Sequence, residues 1–219
     1  MNEHSPVVTI AALYGAAGTV IGPKVAERLG VPFLDRDIPE AVAKRSGLPQ
    51  AVVEGVDEAP RSGMQRLTAS LGRASTISGA MGGSVEQLDV EERVIRGRIE
   101  EFLARASISG GVALGRGGMV VLRSVPWALH VYLGGPRDAR IAQRMALEGI
   151  DRSTAEARQK AEDRARISYV SRVYGVDGTD PALYHLMLDS TALDVDTCVD
   201  LIVTAARARV RSPRPSPPI

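Results

Sequence analysis

Cysteine is almost missing from this chain. Cys198 is the one example in 219 residues, so no internal disulfide can form and a reducing, cytoplasmic setting is the expectation. Charge imbalance is missing too: 27 Lys and Arg against 26 Asp and Glu leave a formal net charge of +1. That argues against a general nucleic-acid or membrane-surface binder, which carries a large basic excess. Residues 5–23 hold no charge, yet Gly15, Gly18 and Gly22 interrupt the stretch and Pro6 and Pro23 bracket it. Its apolar core "VVTIAAL" is short for a membrane span, and "MNEH" before it lacks the basic residues of a signal peptide. His4, His130 and His185 show no metal-ligand spacing, and no G-x-S-x-G elbow, Cys–His pair or C-x-x-C is present. The Walker pattern G-x-x-x-x-G-K-[ST] is absent as well.

What is present describes an ordinary globular chain, 44% apolar and 24% charged, long enough for one substantial core. "VVTIAA" (7–12) reads as a buried strand, followed by a turn of small residues and a helix that places Ile21, Val25 and Leu29 on one face. Pro23 is expected in or before the first turn of that helix. "VPFLDRD" (31–37) reads as a second strand delivering Asp35 and Arg36 at its end. Between about 39 and 90 the pattern weakens to two short helices and a Gly/Ser/Ala-rich stretch. "VEERVIRGRIEEFLARAS" (90–107) is then an amphipathic helix, whose apolar face can serve the core or a second copy of the chain. "GGVALGRGG" (110–118) is a strand breaking into a glycine-flanked loop that presents Arg116, and "WALHVYLGG" (127–135) is a further strand.

Residues 136–173 read as two arginine-rich helices, the second capped by Ser153 with Glu156 completing a capping box. "LYHLMLDST" (183–191) is the last strand. Val195, Cys198, Val199, Ile202 and Ala205 form the buried stripe of the closing helix, with Cys198 as inert core. The Pro/Ser/Arg tail, 209–219, is expected to be disordered.

Strands alternating with helices imply an α/β fold with a parallel sheet, whose ligands sit beyond the strand carboxyl ends. Three polar strand ends then meet at one edge: the small-residue turn, Asp35 and Arg116. A helix opening after such a turn points unpaired N–H groups outward, which suits phosphate. Small residues at such a turn also serve tight packing. Asp35 and Arg36 can be a surface ion pair, and Arg140 and Arg144 a solvated helix face paired with Asp138 and Glu148.

Taken in order, "GAAGTVIGPKVAERLGVPFLDRDI", "ALGRGGMVVL", "HVYLGGPRDARIAQRM", "AEDRARISYV" and "LDSTAL" resemble the cytidylate-kinase-like family of P-loop nucleoside monophosphate kinases. The resemblance runs from about Val7 to Ala208. It implies one domain over 1–208 with a three-layer P-loop kinase-like fold: a five-stranded parallel sheet, a helical NMP-binding insertion at about 39–107 and a short arginine-rich lid at about 137–168. It implies transfer of the γ-phosphoryl group of ATP, with Mg2+, to CMP or dCMP. Positioning and charge neutralisation dominate such chemistry, and residues 137–172 hold eight Arg and one Lys against six acids.

By the same resemblance, Gly15, Ala16, Ala17, Gly18 and Thr19 match the loop around the donor phosphates, Thr19 also being a magnesium candidate. Asp35, Arg36, Arg116 and Asp163 match acceptor-side residues, Arg116 as the grip on the acceptor phosphate. Arg140, Arg144 and Arg166 match the cations that close over the transfer. The chain departs from the family at the loop: Thr19 stands where an arginine is usual, and Ala17 where a glycine is. A second expectation is therefore open, a nucleotide-binding regulatory or scaffold module that has lost catalysis.

Overall fold

Five strands form one parallel sheet in the computed structural model, which describes residues 4–34, 97, 100, 101 and 103–216. They are β1 (Val7–Ala12), β2 (Phe33–Leu34), β3 (Gly111–Leu114), β4 (Ala128–Gly134) and β5 (Leu186–Asp189), in the order β2-β3-β1-β4-β5. The helices are α1 (Gly18–Leu29), α2 (Gly118–Val121), α3 (Arg137–Glu148), α4 (Arg152–Tyr174) and α5 (Val195–Arg211). β1 lies at the centre because it is apolar on both faces. Val8 and Ile10 pack with Ile21 and Val25 of α1 and with Cys198, Val199 and Ile202 of α5. Val7 faces the other way, toward Met119, Tyr169, Val170 and Val173. Two apolar layers thus cover a continuous sheet, giving the three-layer α/β architecture expected.

The chain leaves β1 toward β2 and leaves β4 toward β5, in opposite directions along the sheet. The carboxyl ends of the neighbouring strands β1 and β4 therefore open the switch-point crevice where ligands of such sheets bind. Close packing of α1 makes that edge firm. A methyl on Gly18 would come within 2.5 Å of Ala12 Cβ, and one on Gly22 equally near the Phe33 ring. These two glycines are small for packing reasons.

Several local expectations are corrected. Pro23 lies at the sixth residue of α1, so the Thr19 carbonyl loses its ladder donor; the close seat of Gly18 sets where the helix starts. Asp151, not Ser153, caps α4: its carboxylate accepts from the Thr154 amide at 2.9 Å and from the Ser153 and Thr154 hydroxyls. A carboxylate with two oxygens serves three donors there, which one hydroxyl cannot. The buried stripe of α5 also takes in Val203 and Ala206, with Val195 and Ala205 partly buried against it. α5 continues to Arg211, past the expected boundary at 208, and the Arg214 amide beyond it donates to Pro126 O at 3.2 Å. Asp35, Arg36 and most of the 39–107 insertion lie outside the described residues. No helix among the described residues is long and apolar enough to cross a membrane.

His130 sits fully buried in β4, its Nδ1 2.8 Å from Thr9 Oγ1. Burial, then the positive charge of His185, Arg209 and Arg123, pushes its pKa from 6.5 down to about 3. The unfolded chain accordingly binds a proton near pH 6.5 that the folded chain refuses until about pH 3. This contribution to stability is complete above pH 6.5 and drains away as pH falls, by up to about 4–5 kcal/mol. Urea unfolding across that range is expected to show the slope in the wild type and a shallower one in His130→Asn, whose amide imitates Nδ1. Coincident slopes would remove the explanation.

Candidate functional site

Residues 12–19 turn from β1 into α1 by way of two left-handed positions, Gly15 (φ 78°) and Ala17 (φ 53°). For alanine this conformation costs about 1–2 kcal/mol, so the surroundings must hold it. The carbonyls show how. Ala12 O accepts from Arg166 Nη1 at 2.9 Å, Tyr14 O from Arg140 Nη1 at 2.6 Å, Gly15 O from Gln143 Nε2 at 2.9 Å and Ala16 O from Ser190 Oγ at 2.8 Å. Leu13 O accepts the Ala16 amide, and Ala17 O the Val20 and Ile21 amides.

The amides behave oppositely. Among the described residues, those of Gly15, Ala17, Gly18 and Thr19 have no partner. Gly15, Ala17 and Gly18 are themselves buried, and buried N–H groups are seldom left unpaired in folded proteins. Carbonyls tied back by side chains and amides left free at a helix N-terminus, next to left-handed turns, make a concave anion cradle. The residues fit a phosphate group on this ground.

Side chains of α3 and α4 hold the loop in that form. Arg137, Arg140, Gln143 and Arg144 share one face of α3, and Gln159, Asp163 and Arg166 one face of α4, as their three- and four-residue spacings require. Arg140 and Asp163 form a buried ion pair at 2.9 Å, with the two residues 5% and 8% exposed. Asp163 Oδ1 also accepts the Tyr14 amide at 2.7 Å, and Oδ2 accepts Gln159 Nε2 at 2.8 Å. Gln159 in turn accepts from Arg137, and Arg140 Nε donates to Gly135 O. A methyl on Gly15 would lie 2.1 Å from Arg140 O, so the helix backbone itself rests on the loop.

The residues expected at the site are thus brought together unequally. Arg140 and Asp163 are buried in contact with the loop and with each other, rather than lying on a solvated face; Asp138 pairs with Arg152. Arg144 pairs with Glu148 as the bland expectation had it, while its guanidinium also lies 5.2 Å from the Tyr14 ring centre. Arg166 reaches Ala12 O and Glu162 and stays partly exposed. Thr19 is exposed at the first turn of α1. Ala16 sits inside the turn with both backbone groups bonded.

Arg116 follows β3 in a run of three left-handed residues, Gly115 (φ 78°), Arg116 (φ 61°) and Gly117 (φ 65°). Its carbonyl accepts the Tyr174 hydroxyl at 3.2 Å, and Gly117 lies so near the Tyr174 ring that a methyl would come within 2.2 Å. Burial and Tyr174 raise the Tyr169 hydroxyl above its ordinary 10, while the Arg116 charge pulls it the other way. α4 therefore runs across the carboxyl edge of the sheet, touching the β1 loop through Asp163 and Arg166 and the β3 loop through Tyr174. Gln143, Gln159 and Ser190 were missed in the sequence, although Gln143 lies three residues from Arg140 and Gln159 four from Asp163 on the same helix face; Ser190, in the turn after β5, carries no such signal. Among the described residues no three His, Cys, Asp or Glu gather to hold a metal.

A family model described as cytidylate kinase-like matches residues 7–192. Among curated proteins, the chain is similar to a uronate isomerase of Corynebacterium glutamicum (27% identical over 136 residues) and a cytidylate kinase of Methanopyrus kandleri (30% over 77). Those matches take in 62% and 35% of this chain, and span only 26% and 40% of the relatives' own lengths. Among solved structures, an uncharacterized protein from Eubacterium ventriosum superposes with a TM-score of 0.65 at 19% identity, covering 93% of this chain and 99% of that one. A gluconokinase from Sinorhizobium meliloti superposes at 0.52 with 12% identity and 96% of both chains. Both likenesses concern the fold.

Proposed function

Because the chain belongs to the cytidylate kinase-like family, we propose that it transfers the γ-phosphoryl group of ATP to a nucleoside monophosphate, CMP or dCMP. The observation that carries the reading is the set of free amides at Gly15, Ala17, Gly18 and Thr19, beside engaged carbonyls at residues 12–17. These N–H groups hold the donor phosphates, and Ala16 keeps the turn between them. Thr19, exposed at the helix start, is the ligand offered to Mg2+. Held there, the ion would neutralise charge on the transferred phosphate groups.

Arg116 grips the acceptor phosphate with a planar guanidinium, and Asp35 and Arg36 serve the same substrate. Arg166, at Ala12 O, and Arg144, over the Tyr14 ring, lie beside the loop and supply the charge turned toward the transferring group. Arg140 and Asp163 act by position: they fix the turn and leave the substrate to others. The loop thereby does without a lysine or arginine of its own, relying on backbone dipoles and on charge from α4.

Purified protein given Mg-ATP and CMP or dCMP is expected to release ADP and the corresponding diphosphate, followed by chromatography against a panel of other monophosphates. No diphosphate from any acceptor would end the catalytic reading. Tight ATP binding by calorimetry without turnover would assign the chain instead to nucleotide-binding modules.

A further inference from the structure

The amino-terminal edge of β4 and β5 carries positive charge that the loop site does not use. β4 spans about 20 Å from Ala128 to Gly134, so this edge is remote from the phosphate loop. Four segments meet on it: the connection from α2 to β4, β4 itself, the lead-in to β5, and the last turn of α5 with the chain beyond. Arg209 Nε donates to Ala128 O at 3.1 Å, and the Arg214 amide to Pro126 O at 3.2 Å. Ser216 Oγ lies 3.1 Å from His185 Nε2. The His185 ring stacks on His130 at 4.8 Å, and its Nδ1 accepts the His130 amide at 2.9 Å. After α5 the chain therefore folds back and brings Arg214 and Ser216 to the start of the two strands.

Two of the charges here, Arg209 and Arg214, have no carboxylate counterpart among the described residues. Arg28, Arg105, Arg140, Arg144, Arg152, Arg158 and Arg166 each pair with a carboxylate. Among the described residues, the fixed charges acting on the two imidazoles are the cations Arg209 and Arg123, which act on both His130 and His185. Arg214 acts in the same sense on Arg209. Among the described residues, the polar atoms buried there without a hydrogen bond include Arg209 Nη2 and His130 Nε2, the latter in a fully buried residue. Buried polar groups left unpaired and like charges left together are both costly, and a negatively charged acceptor relieves the charges.

We propose that this edge, framed by Arg123, His130, His185, Arg209 and Arg214, binds a small, freely diffusing phosphate-like oxyanion. The forked guanidinium of Arg209 has an unused N–H suited to such an ion, and the Ser216 hydroxyl adds a neutral donor. Arg214 closes the site from the chain that follows α5. A bound oxyanion offsets the surrounding cations, which raises the pH at which the His185 imidazole takes up its proton.

The test is a titration of the full chain with inorganic phosphate, following histidine ring signals by NMR, with chloride at matched ionic strength as control. The His185 signal is expected to move saturably with phosphate alone, with its titration midpoint rising. Arg209→Met and Arg214→Ala are each expected to weaken the effect about ten-fold or more, while phosphate-induced shifts of the Gly15 and Thr19 amides stay unchanged. The Arg214 variant lies outside the core elements, so it reads the site even where Arg209→Met unfolds. Equal shifts in chloride, or an undiminished response in Arg214→Ala, would overturn the proposal. Loss of the loop amide response alone would count against the kinase reading and leave this one standing.

Discussion

Asp163→Ala is expected to lower the free energy of unfolding by about 3–5 kcal/mol, the cost of stranding one partner of a buried ion pair. For a chain of this size that corresponds to a melting temperature lower by on the order of 10 °C. The argument rests on what the carboxylate touches. Its loss leaves the Arg140 guanidinium, 5% exposed as a residue, without its counter-charge, and removes the acceptor of the Tyr14 amide. Arg140 keeps two carbonyl partners, Tyr14 O and Gly135 O, but neither carries a full negative charge.

The double replacement Arg140→Met with Asp163→Leu is expected to recover much of the loss, because apolar groups of similar volume can fill a site whose charges are both gone. It would not restore the loop, since Tyr14 O loses its donor, so weak nucleotide binding in a stable protein is the expected signature. Urea unfolding of the single variant within about 1 kcal/mol of wild type would show that the pair is solvated and that the clamp is not what holds the turn.

Arg116→Gly is expected to reduce kcat/KM for phosphoryl transfer by at least about 100-fold, the scale seen when one donor to a developing oxyanion is removed. Glycine is the informative replacement. At φ 61° a non-glycine residue sits in a conformation that glycine adopts freely, so the substitution relieves about 1 kcal/mol of backbone strain. The Tyr174 hydroxyl bonds to the backbone carbonyl of this residue and keeps its partner. A merely structural arginine would show a changed melting temperature with turnover per folded molecule unchanged. A functional one shows lost turnover in a protein that is still folded at the assay temperature. Full activity in Arg116→Gly would withdraw the residue from the site.

The alternation of short β-branched runs with amphipathic segments was enough to read the order of strands and helices, because burial on two faces or one leaves a period that composition alone displays. β1 spans the residues read for it, and the glycine-flanked Arg116 stands on a strand-end loop as its neighbours implied. Local chemistry was harder. Ser153 and Asp151 both suit a cap, and only the geometry of the turn decides which side chain faces the free amides. Pro23 reads as a helix start until packing of Gly18 against Ala12 and Leu114 moves the start earlier.

The phosphate cradle divides the same way. Small residues after a strand mark a turn that can expose amides, and that much is sequence. Which amides stay free depends on the carbonyls being held elsewhere, by Arg166, Arg140, Gln143 and Ser190, residues 126 to 174 positions away along the chain. Such pairings have no period and no fixed spacing, because they are set by where α3 and α4 come to rest on the sheet. The amino-acid order alone therefore determined the elements, their alternation and the kind of edge at which a ligand binds. The tertiary structure alone decided that Arg140 and Asp163 are buried supports of the loop, and that the chain after α5 joins two histidines in a cluster of cations. The physical reason is that burial and charge pairing are properties of a place in space, and a place is made by segments that meet only after folding.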